Sequence, residues 1–265
     1  MRIAHLSDLH FGEEATGQAA ILAADIQAQS PDAVVVSGDL TRRAVNREFA
    51  AAIAFLEALG APLLVVPGNH DIPRFDLFER FLNPRQRWLA ARPAGYMDVL
   101  ELPGLRLIGL DSVSRAQWHL DWAAGAISAQ RRARLAAALE LPSEYPTLVV
   151  CHHPLRHPDW AQARRAPRNA ENVVALLHAH GVAGVLCGHL HRPGVTRLSA
   201  SRSSQNIGSS EGTGPLQIIA PSALSPRGTG APNGWNLITM KDRELHILLR
   251  EWVGGAWAAR PMHPG

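Results

Sequence analysis

The sequence contains little of what stabilises small secreted proteins or anchors proteins in membranes. Only two of its 265 residues are cysteines, Cys151 and Cys187, and so few exclude a disulfide-rich scaffold. Each cysteine ends a predicted strand, and we interpret both as small buried core residues rather than as metal ligands or a redox pair. No apolar run approaches the roughly 20 residues of a membrane-spanning helix, so we expect no membrane span.

Lysine is almost absent too. Lys241 is the only lysine among the 26 lysine and arginine residues, and the formal net charge is only +3. This small excess suits an anionic substrate, but it also suits an ordinary protein surface. Because nucleic acid recognition usually needs a concentrated basic stripe, we do not expect nucleic acid as an obligatory partner.

Strand-like and helix-like segments alternate along the first three quarters of the chain. Short aliphatic runs predict strands at residues 2–7, 33–37, 63–66, 105–110, 147–151 and 182–187. Apolar residues at helical spacing predict helices at residues 15–29, 47–59, 129–141 and 169–180. The predicted helix ends carry Ser128 and Asn169 as N-caps and Gly60 and Gly181 as terminating glycines. The alternation is typical of a mainly parallel sheet covered by helices.

The last quarter lacks helical patterns. Its strand-like runs are residues 216–220, 235–240 and 244–252, and we expect antiparallel strands that form or extend a second sheet. Loops rich in Ser, Gly and Pro at residues 199–214 and 221–234 separate these runs. We interpret them as mobile or substrate-lining loops rather than interdomain linkers.

Five short clusters of potential metal ligands follow the apolar runs in a fixed order. They are Asp8-Leu9-His10, Gly38-Asp39, Gly68-Asn69-His70-Asp71, His152-His153-Pro154 and Gly188-His189-Leu190-His191. Ligands of open α/β sheets bind at the carboxyl ends of the strands, so carboxylates and imidazoles from neighbouring strands can converge there. Mixed oxygen and nitrogen donors suit Mn, Fe or Zn. The pattern therefore predicts a metal-dependent hydrolase with two metal ions.

The spacing within the clusters supports a shared site. One residue separates Asp8 from His10 and His189 from His191, and in extended chain such residues point to the same side. Asn69 offers a neutral carbonyl oxygen, which adds a ligand without negative charge. Since Asp8 already belongs to the candidate site, we expect no removable signal peptide before it. We predict one domain over residues 1–265 in the cytoplasm, as a monomer or a homo-oligomer.

Through these clusters the chain from Asp8 to His191 resembles the calcineurin-like metallophosphoesterases. The resemblance implies an α/β fold, a four-layer α/β/β/α sandwich of two mixed sheets. It implies a first metal ion held by Asp8, His10, Asp39 and His191. It implies a second ion held by Asp39, Asn69, His152 and His189, with Asp39 as the bridge. The two ions would be divalent or mixed-valence Mn, Fe or Zn.

The resemblance also implies a mechanism. A hydroxide between the two ions attacks phosphorus in line, and His70 acts as the catalytic histidine near the leaving group. His153 is not a ligand in the family pattern, and we interpret it as a supporting or structural residue. Many family members have an Asp where this chain has Arg42. Asp71 and Asp111 are therefore candidates for orienting His70, and Arg42 either binds substrate phosphate or faces solvent.

The motifs also indicate a branch of the family. Arg42 and Asp71 depart from the serine/threonine phosphatase motifs Gly-Asp-x-x-Asp-Arg-Gly and Gly-Asn-His-Glu. The Gly-Asp-Leu-Thr and His-His-Pro motifs resemble the class III cyclic nucleotide phosphodiesterases and related glycerophosphodiesterases, whose substrates are small-molecule phosphodiesters. A phosphomonoesterase and a DNA-processing nuclease are the alternatives. A non-catalytic scaffold with the same fold is a remote alternative, because the chain keeps the full ligand set and His70.

Two segments are candidates for setting specificity. Residues 72–92 contain Arg74, Phe75, Arg85 and Trp88, and residues 155–168 contain Arg156, Trp160, Arg164, Arg165 and Arg168. Arginines with aromatic neighbours can hold a phosphate and stack a base or cover an apolar group. The alternative interpretation is a pair of amphipathic surface helices with solvated arginines.

Overall fold

The computed structural model describes residues 1–74, 76–92, 98–114, 123–162, 164–200, 214–225 and 230–264. The described strands are β1 (Arg2–Leu6), β2 (Ala33–Val36), β3 (Leu63–Val65), β4 (Val99–Leu102), β5 (Leu105–Gly109), β6 (Thr147–Val150), β7 (Gly184–Cys187), β8 (Gly194–Arg197), β9 (Leu216–Ile219), β10 (Gly234–Lys241), β11 (Glu244–Val253) and β12 (Ala256–Met262). The described helices are α1 (Gln18–Ala28), α2 (Asn46–Ala58), α3 (Leu77–Leu82), α4 (Gln86–Ala91), α5 (Ala129–Glu140) and α6 (Ala170–Ala179), with a 3₁₀ turn at Asp159–Ala161.

These strands form two mixed six-stranded sheets. The first has the order β12-β11-β10-β1-β2-β3, and the second has the order β4-β5-β6-β7-β9-β8. Strands β1 to β3 run parallel, and so do β5, β6, β7 and β9. Antiparallel strands flank both parallel groups. The central strands are buried on both faces, which explains why the sequence shows continuous apolar runs there rather than alternation.

Alternate strand residues pack into different layers. Val35 and Leu148 belong to the apolar cluster between the two sheets, and Val34 packs on the opposite face of the first sheet with helices α1 and α2. Val149 packs on the outer face of the second sheet with α5 and α6. The layers are therefore helix, sheet, sheet, helix, which confirms the predicted fold class.

The predicted helix ends are mostly confirmed. Ser128 caps α5 by accepting a hydrogen bond from the Arg131 backbone N–H at 3.3 Å. Gly60 and Gly181 follow helix ends with φ of 69° and 60°. Asn169 occupies the N-cap position of α6, but its side chain donates to the Ile127 carbonyl oxygen instead of capping the helix.

The last quarter differs in part from the expectation. Strands β10 and β11 are antiparallel as predicted and extend the sheet of β1. Strand β9, however, pairs parallel with β7 and belongs to the other sheet. The side chain of Gln217 in β9 binds the backbone N–H groups of Leu155 and Arg156, which fixes β9 beside the loop that follows β6. Parts of the two predicted loops, residues 201–213 and 226–229, lie outside the described residues.

Candidate metal centre

The five ligand clusters lie at the carboxyl ends of five strands from both sheets. The clusters of Asp8, Asp39 and Asn69 follow β1, β2 and β3, and those of His152 and His189 follow β6 and β7. The structure brings all seven predicted ligands together, and most of them are fully buried. They form two adjacent groups of donor atoms.

The first group contains one atom from each of four residues. Asp8 Oδ1 lies 3.0 Å from His191 Nε2, and the Nε2 atoms of His191 and His10 are 3.3 Å apart. Asp39 Oδ2 lies 3.7 Å from His10 Nε2. Such spacing allows all four atoms to contact one cation.

The second group shares a carboxylate oxygen with the first. Asp39 Oδ2 lies 3.5 Å from His152 Nε2. Asn69 Oδ1 lies 3.0 Å from both His152 Nε2 and His189 Nδ1, and these two nitrogens are 3.3 Å apart. Asp39 Oδ2 therefore stands between the two groups, where one oxygen can contact a cation on either side.

The hydrogen bonds around the donor atoms fit a metal site. His152 Nδ1 lies 2.8 Å from the Ser37 carbonyl oxygen and His10 Nδ1 lies 3.3 Å from that of Thr41. Each carbonyl oxygen accepts a hydrogen bond from the Nδ1–H group, so the lone pair of Nε2 faces the centre. Asp8 Oδ1 is buried with no hydrogen-bond donor among the described residues. Converging lone pairs without donors are what a bound cation satisfies.

The charges of the site favour ligation in the same way. Burial acts to raise the pKa of the Asp8 carboxyl, but the nearby histidines, His191 first, outweigh it and hold that pKa well below its usual value. Burial, and then repulsion by His153 and His152, lowers the pKa of His189 well below its usual value. The site thus contains an ionised carboxylate beside a neutral imidazole, the forms that bind metals.

Five donor residues have a left-handed backbone rather than an extended one, and this conformation directs their side chains toward the centre. The affected residues are Asp8 (φ 51°), His10 (48°), Asp39 (54°), His189 (69°) and His191 (56°). We expected Asp8 and His10 to point to the same side because they would lie in extended chain. Their side chains do converge, but the left-handed backbone, and not a strand, is the cause. Such conformations cost about 1–3 kcal/mol each and persist only where the surroundings impose them. Here the Asp8 and His10 backbone N–H groups donate to the Gly38 and Asp39 carbonyls at 3.0 Å.

Two glycines of the motifs are required by close approach. A β-carbon at Gly188 would lie 1.7 Å from Ser7 Oγ and 2.6 Å from Asp8 Oδ2. A β-carbon at Gly68 would lie 2.1 Å from Asp39 Oδ1. The clusters therefore contain glycine because the neighbouring loops pack directly against the carboxylates.

His70 lies beside the first group. Its ring packs edge-on against that of His10 with centroids 4.8 Å apart, and its Nδ1 lies 2.9 Å from the Arg42 carbonyl oxygen. That carbonyl orients the ring, so both candidates proposed from the sequence, Asp71 and Asp111, were wrong. This contact could not be predicted from the sequence, because the group that orients His70 belongs to the backbone.

The two rejected aspartates have other partners. Asp71 accepts hydrogen bonds from the backbone N–H groups of Gly68, Leu40 and Thr41 and from the Thr41 hydroxyl, so it joins the loops after β2 and β3. Burial, then repulsion by Asp39, raises the pKa of Asp71 to about 6. Asp111 pairs with Arg85 and Arg131.

Arg42 does not extend freely toward the centre. Its guanidinium forms an ion pair with Glu13, and both side chains are about three-quarters buried, with exposed fractions of 23% and 25%. The two interpretations from the sequence, a phosphate ligand or a solvent-facing arginine, both left out this carboxylate.

His153 lies against the second group without offering it a free lone pair. Its proximity alone would place it with His152 and His189 in one candidate site. However, its Nδ1 lies 2.8 Å from Ser112 Oγ and its Nε2 lies 2.7 Å from the Ala123 carbonyl oxygen. Its ring centroid is 4.6 Å from that of His189, so the residue packs behind the donor histidines.

The two predicted specificity segments differ in exposure. In the first, Trp88 is buried in the core, Arg85 pairs with Asp111, and Phe75 lies outside the described residues. In the second, Arg156 forms a double ion pair with Glu171, whereas Trp160 is 43% exposed. The two cysteines are buried, as the sequence indicated.

The chain is similar to known proteins over about three quarters of its length. The family model of calcineurin-like phosphoesterases matches residues 1–193. The glycerophosphodiester phosphodiesterase GpdQ of Enterobacter lignolyticus (strain SCF1) is 32% identical over 210 residues, which cover 74% of this chain and 73% of that protein. A probable cyclic nucleotide phosphodiesterase of Synechococcus sp. is 28% identical over 213 residues, which cover 72% of this chain and 74% of that protein.

A solved structure supports the fold. A dimetal phosphatase from Danio rerio has a TM-score of 0.64 at 16% sequence identity and covers 99% of both chains. Within the described ranges, no helix is both long enough and apolar enough to pass through a bilayer.

Proposed function

Since this chain belongs to the calcineurin-like phosphoesterase family and is a metal-dependent phosphoester hydrolase, we propose that it hydrolyses small-molecule phosphodiesters at a dinuclear metal centre. The observation that carries the proposal is the position of Asp39 Oδ2, which lies 3.7 Å from His10 Nε2 and 3.5 Å from His152 Nε2. One carboxylate oxygen between two sets of donor atoms is the arrangement that a bridged pair of cations needs.

The proposed ligands are those predicted from the sequence. The first ion takes Asp8, His10, Asp39 and His191, and the second takes Asp39, Asn69, His152 and His189. Four nitrogens and several hard oxygens suit Mn, Fe or Zn. Two such ions would supply positive charge to the phosphoryl oxygens and a water of lowered pKa as the nucleophile.

His70 has the proposed role of proton donor. The Arg42 carbonyl accepts a hydrogen bond from the Nδ1–H group, so Nε2 lies on the opposite side of the ring and can carry the proton that is transferred. Protonated Nε2 would donate this proton to the departing alkoxide, which is the poor leaving group of natural phosphodiesters. The edge contact with His10 holds the ring beside the first group of donors.

Diesters are favoured over monoesters by the charge available near the centre. A monoester dianion needs more positive charge around the phosphoryl group than a diester does. Arg42, whose carbonyl binds His70, has its guanidinium neutralised by Glu13. The relatives named above, a glycerophosphodiester phosphodiesterase and a probable cyclic nucleotide phosphodiesterase, point to the same class of substrate.

The test compares kcat/KM for bis(4-nitrophenyl) phosphate and 4-nitrophenyl phosphate after reconstitution with manganese. Asp39→Asn protein, purified in parallel, is the control for contaminating phosphatases. We expect the diester to be cleaved at least as well as the monoester. A preference for the monoester of tenfold or more, about 1.4 kcal/mol in transition-state binding, would overturn the phosphodiesterase proposal and leave the family assignment intact.

A further inference from the structure

An arginine stacks on an exposed tryptophan beside the candidate metal centre. Arg192 directly follows the donor His191, and its Cζ lies 4.7 Å from the ring centroid of Trp160. Trp160 lies in the 3₁₀ turn of the loop that follows His152, and it is 43% exposed. Two loops that each carry donor histidines therefore meet in this pair.

A second arginine lies on the same loop. Arg164 is exposed, and its backbone N–H donates to the Ala161 carbonyl at 3.0 Å. The Arg164 carbonyl oxygen also lies 3.0 Å from His157 Nδ1, so both contacts fix Arg164 beside the 3₁₀ turn that contains Trp160.

These two arginines lack the carboxylate partners that neutralise others nearby. Arg156 on the same loop pairs with Glu171, and Arg42 pairs with Glu13. Over the described ranges, neither Arg164 nor Arg192 has a carboxylate oxygen within 4.0 Å. Two positive charges without a carboxylate partner therefore lie on the two loops that meet at Trp160, outside both donor groups.

Stacking prepares Arg192 to bind an anion. A guanidinium that lies over an indole ring keeps its N–H donors in the plane, pointing away from the ring. These donors match the two oxygens of a carboxylate or phosphate. Trp160 thus restricts the orientation of Arg192 without using its hydrogen-bonding capacity.

The scissile phosphodiester carries one negative charge, which the proposed metal ions alone would neutralise. Arg164 and Arg192 stand outside both donor groups and add charge that this phosphodiester does not require. We propose that Arg192 and Arg164 bind a second anionic group of the substrate, a carboxylate or a further phosphate, and that Trp160 positions Arg192. This inference rests on the proposed phosphodiesterase function and adds a substrate class to it.

The experiment uses two aryl phosphodiesters that both release 4-nitrophenolate. The retained ester is 4-carboxyphenyl in one and 4-carbamoylphenyl in the other, so they differ by one charge at nearly constant shape. For the wild type we expect a preference for the carboxylate of about tenfold or more, mainly through KM, as for a charge-assisted hydrogen bond. Arg192→Ala should remove most of this preference and leave turnover of the carboxamide within about twofold.

Controls separate this role from general charge and from folding. Arg243→Ala removes an equal charge from the exposed turn between β10 and β11, near the amino end of β1. This variant should leave kcat/KM unchanged for both diesters. Trp160→Leu should weaken the preference in part. In the double variant, Trp160→Leu should add nothing to Arg192→Ala, because the tryptophan acts through the arginine.

A binding measurement makes the inference independent of turnover. Calorimetric titration of the metal-loaded protein with (4-carboxybenzyl)methylphosphinate, in which carbon replaces both ester oxygens so that no bond can be hydrolysed, should show about tenfold weaker binding to Arg192→Ala than to the wild type. If the wild type cleaves neither diester, the proposed function fails, and the calorimetry alone decides whether Arg192 binds the anion. Equal use of the two diesters, a preference for the carboxamide, or unchanged binding to Arg192→Ala would overturn the inference.

Discussion

Replacing His70 by alanine should slow turnover while leaving the metals bound. The side chain of His70 supplies no atom to either donor group, and its Nδ1 is fixed by the Arg42 carbonyl at 2.9 Å. A positioned general acid contributes about 10²–10⁴-fold to a reaction. We expect a loss of that size in kcat for an alkyl phosphodiester, with metal content unchanged.

Replacing Arg42 by alanine should have a smaller effect on kcat than replacing His70. Because a backbone carbonyl orients His70, no substitution of the Arg42 side chain removes this hydrogen bond. Arg42→Ala should lose the ion pair with Glu13, a contact that is about three-quarters buried, but should keep the proton donor in place. We therefore expect Arg42→Ala to reduce kcat by less than about tenfold.

The assay is a series of phosphodiesters with leaving groups of increasing basicity, measured for wild type and His70→Ala. Nitrophenolate needs little protonation when it leaves, so His70→Ala should reduce kcat only slightly for nitrophenyl esters. The reduction in kcat should grow as the leaving group approaches an alkoxide in basicity. His246→Ala is the matched control, because His246 is an exposed histidine on β11 and should behave as the wild type. An equal loss for every leaving group would refute the proton-donor role, as would loss of metal from His70→Ala.

Three further predictions concern packing, stability and the thiols. Gly188→Ala should impair metal binding, because its β-carbon would lie 1.7 Å from Ser7 Oγ beside the first donor group; metal analysis that shows full occupancy would contradict this. Asp25→Ala should lower the free energy of unfolding by about 3 kcal/mol in urea titrations, because it leaves the Arg250 side chain on β11, which is only 15% exposed, without its carboxylate and the buried Trp235 indole N–H without its acceptor; a change below about 1 kcal/mol would contradict it. Burial raises the pKa of the Cys151 thiol to about 12 and that of Cys187 well above its usual value. Because the thiolate is the reactive form, neither should react with a thiol reagent in the native protein at pH 8, whereas both should react in denaturant.

The positions of the donor residues were predictable because each follows a short apolar run. Runs such as Ala33–Val36 are buried on both faces, and parallel strands of this kind deliver the next residues to one edge of the sheet. The prediction that Asp39 stands between two groups came from family resemblance, since spacing alone does not tell which carboxylate is shared. The left-handed backbone at Asp8 and His10 was not predictable, because non-glycine residues rarely adopt it.

Three other features escaped prediction for related reasons. The group that orients His70 is a main-chain carbonyl, so the side-chain sequence at Arg42 carries no sign of it. The edge strand β12 is largely exposed and therefore lacks the apolar pattern by which its neighbours were recognised. The contact between Arg192 and Trp160 joins residues from separate loops, and no local sequence pattern predicts a contact between residues so far apart in the chain.

The most direct test of the dinuclear centre is the metal content of Asp39→Ala, measured by atomic emission beside the wild type. Glu101→Ala, which removes an exposed carboxylate from β4, is the matched control and should bind metal as the wild type does. We expect two equivalents of metal in the wild type and loss of most of it in Asp39→Ala, because this carboxylate would contact both ions. Two equivalents still bound to folded Asp39→Ala protein would contradict this expectation.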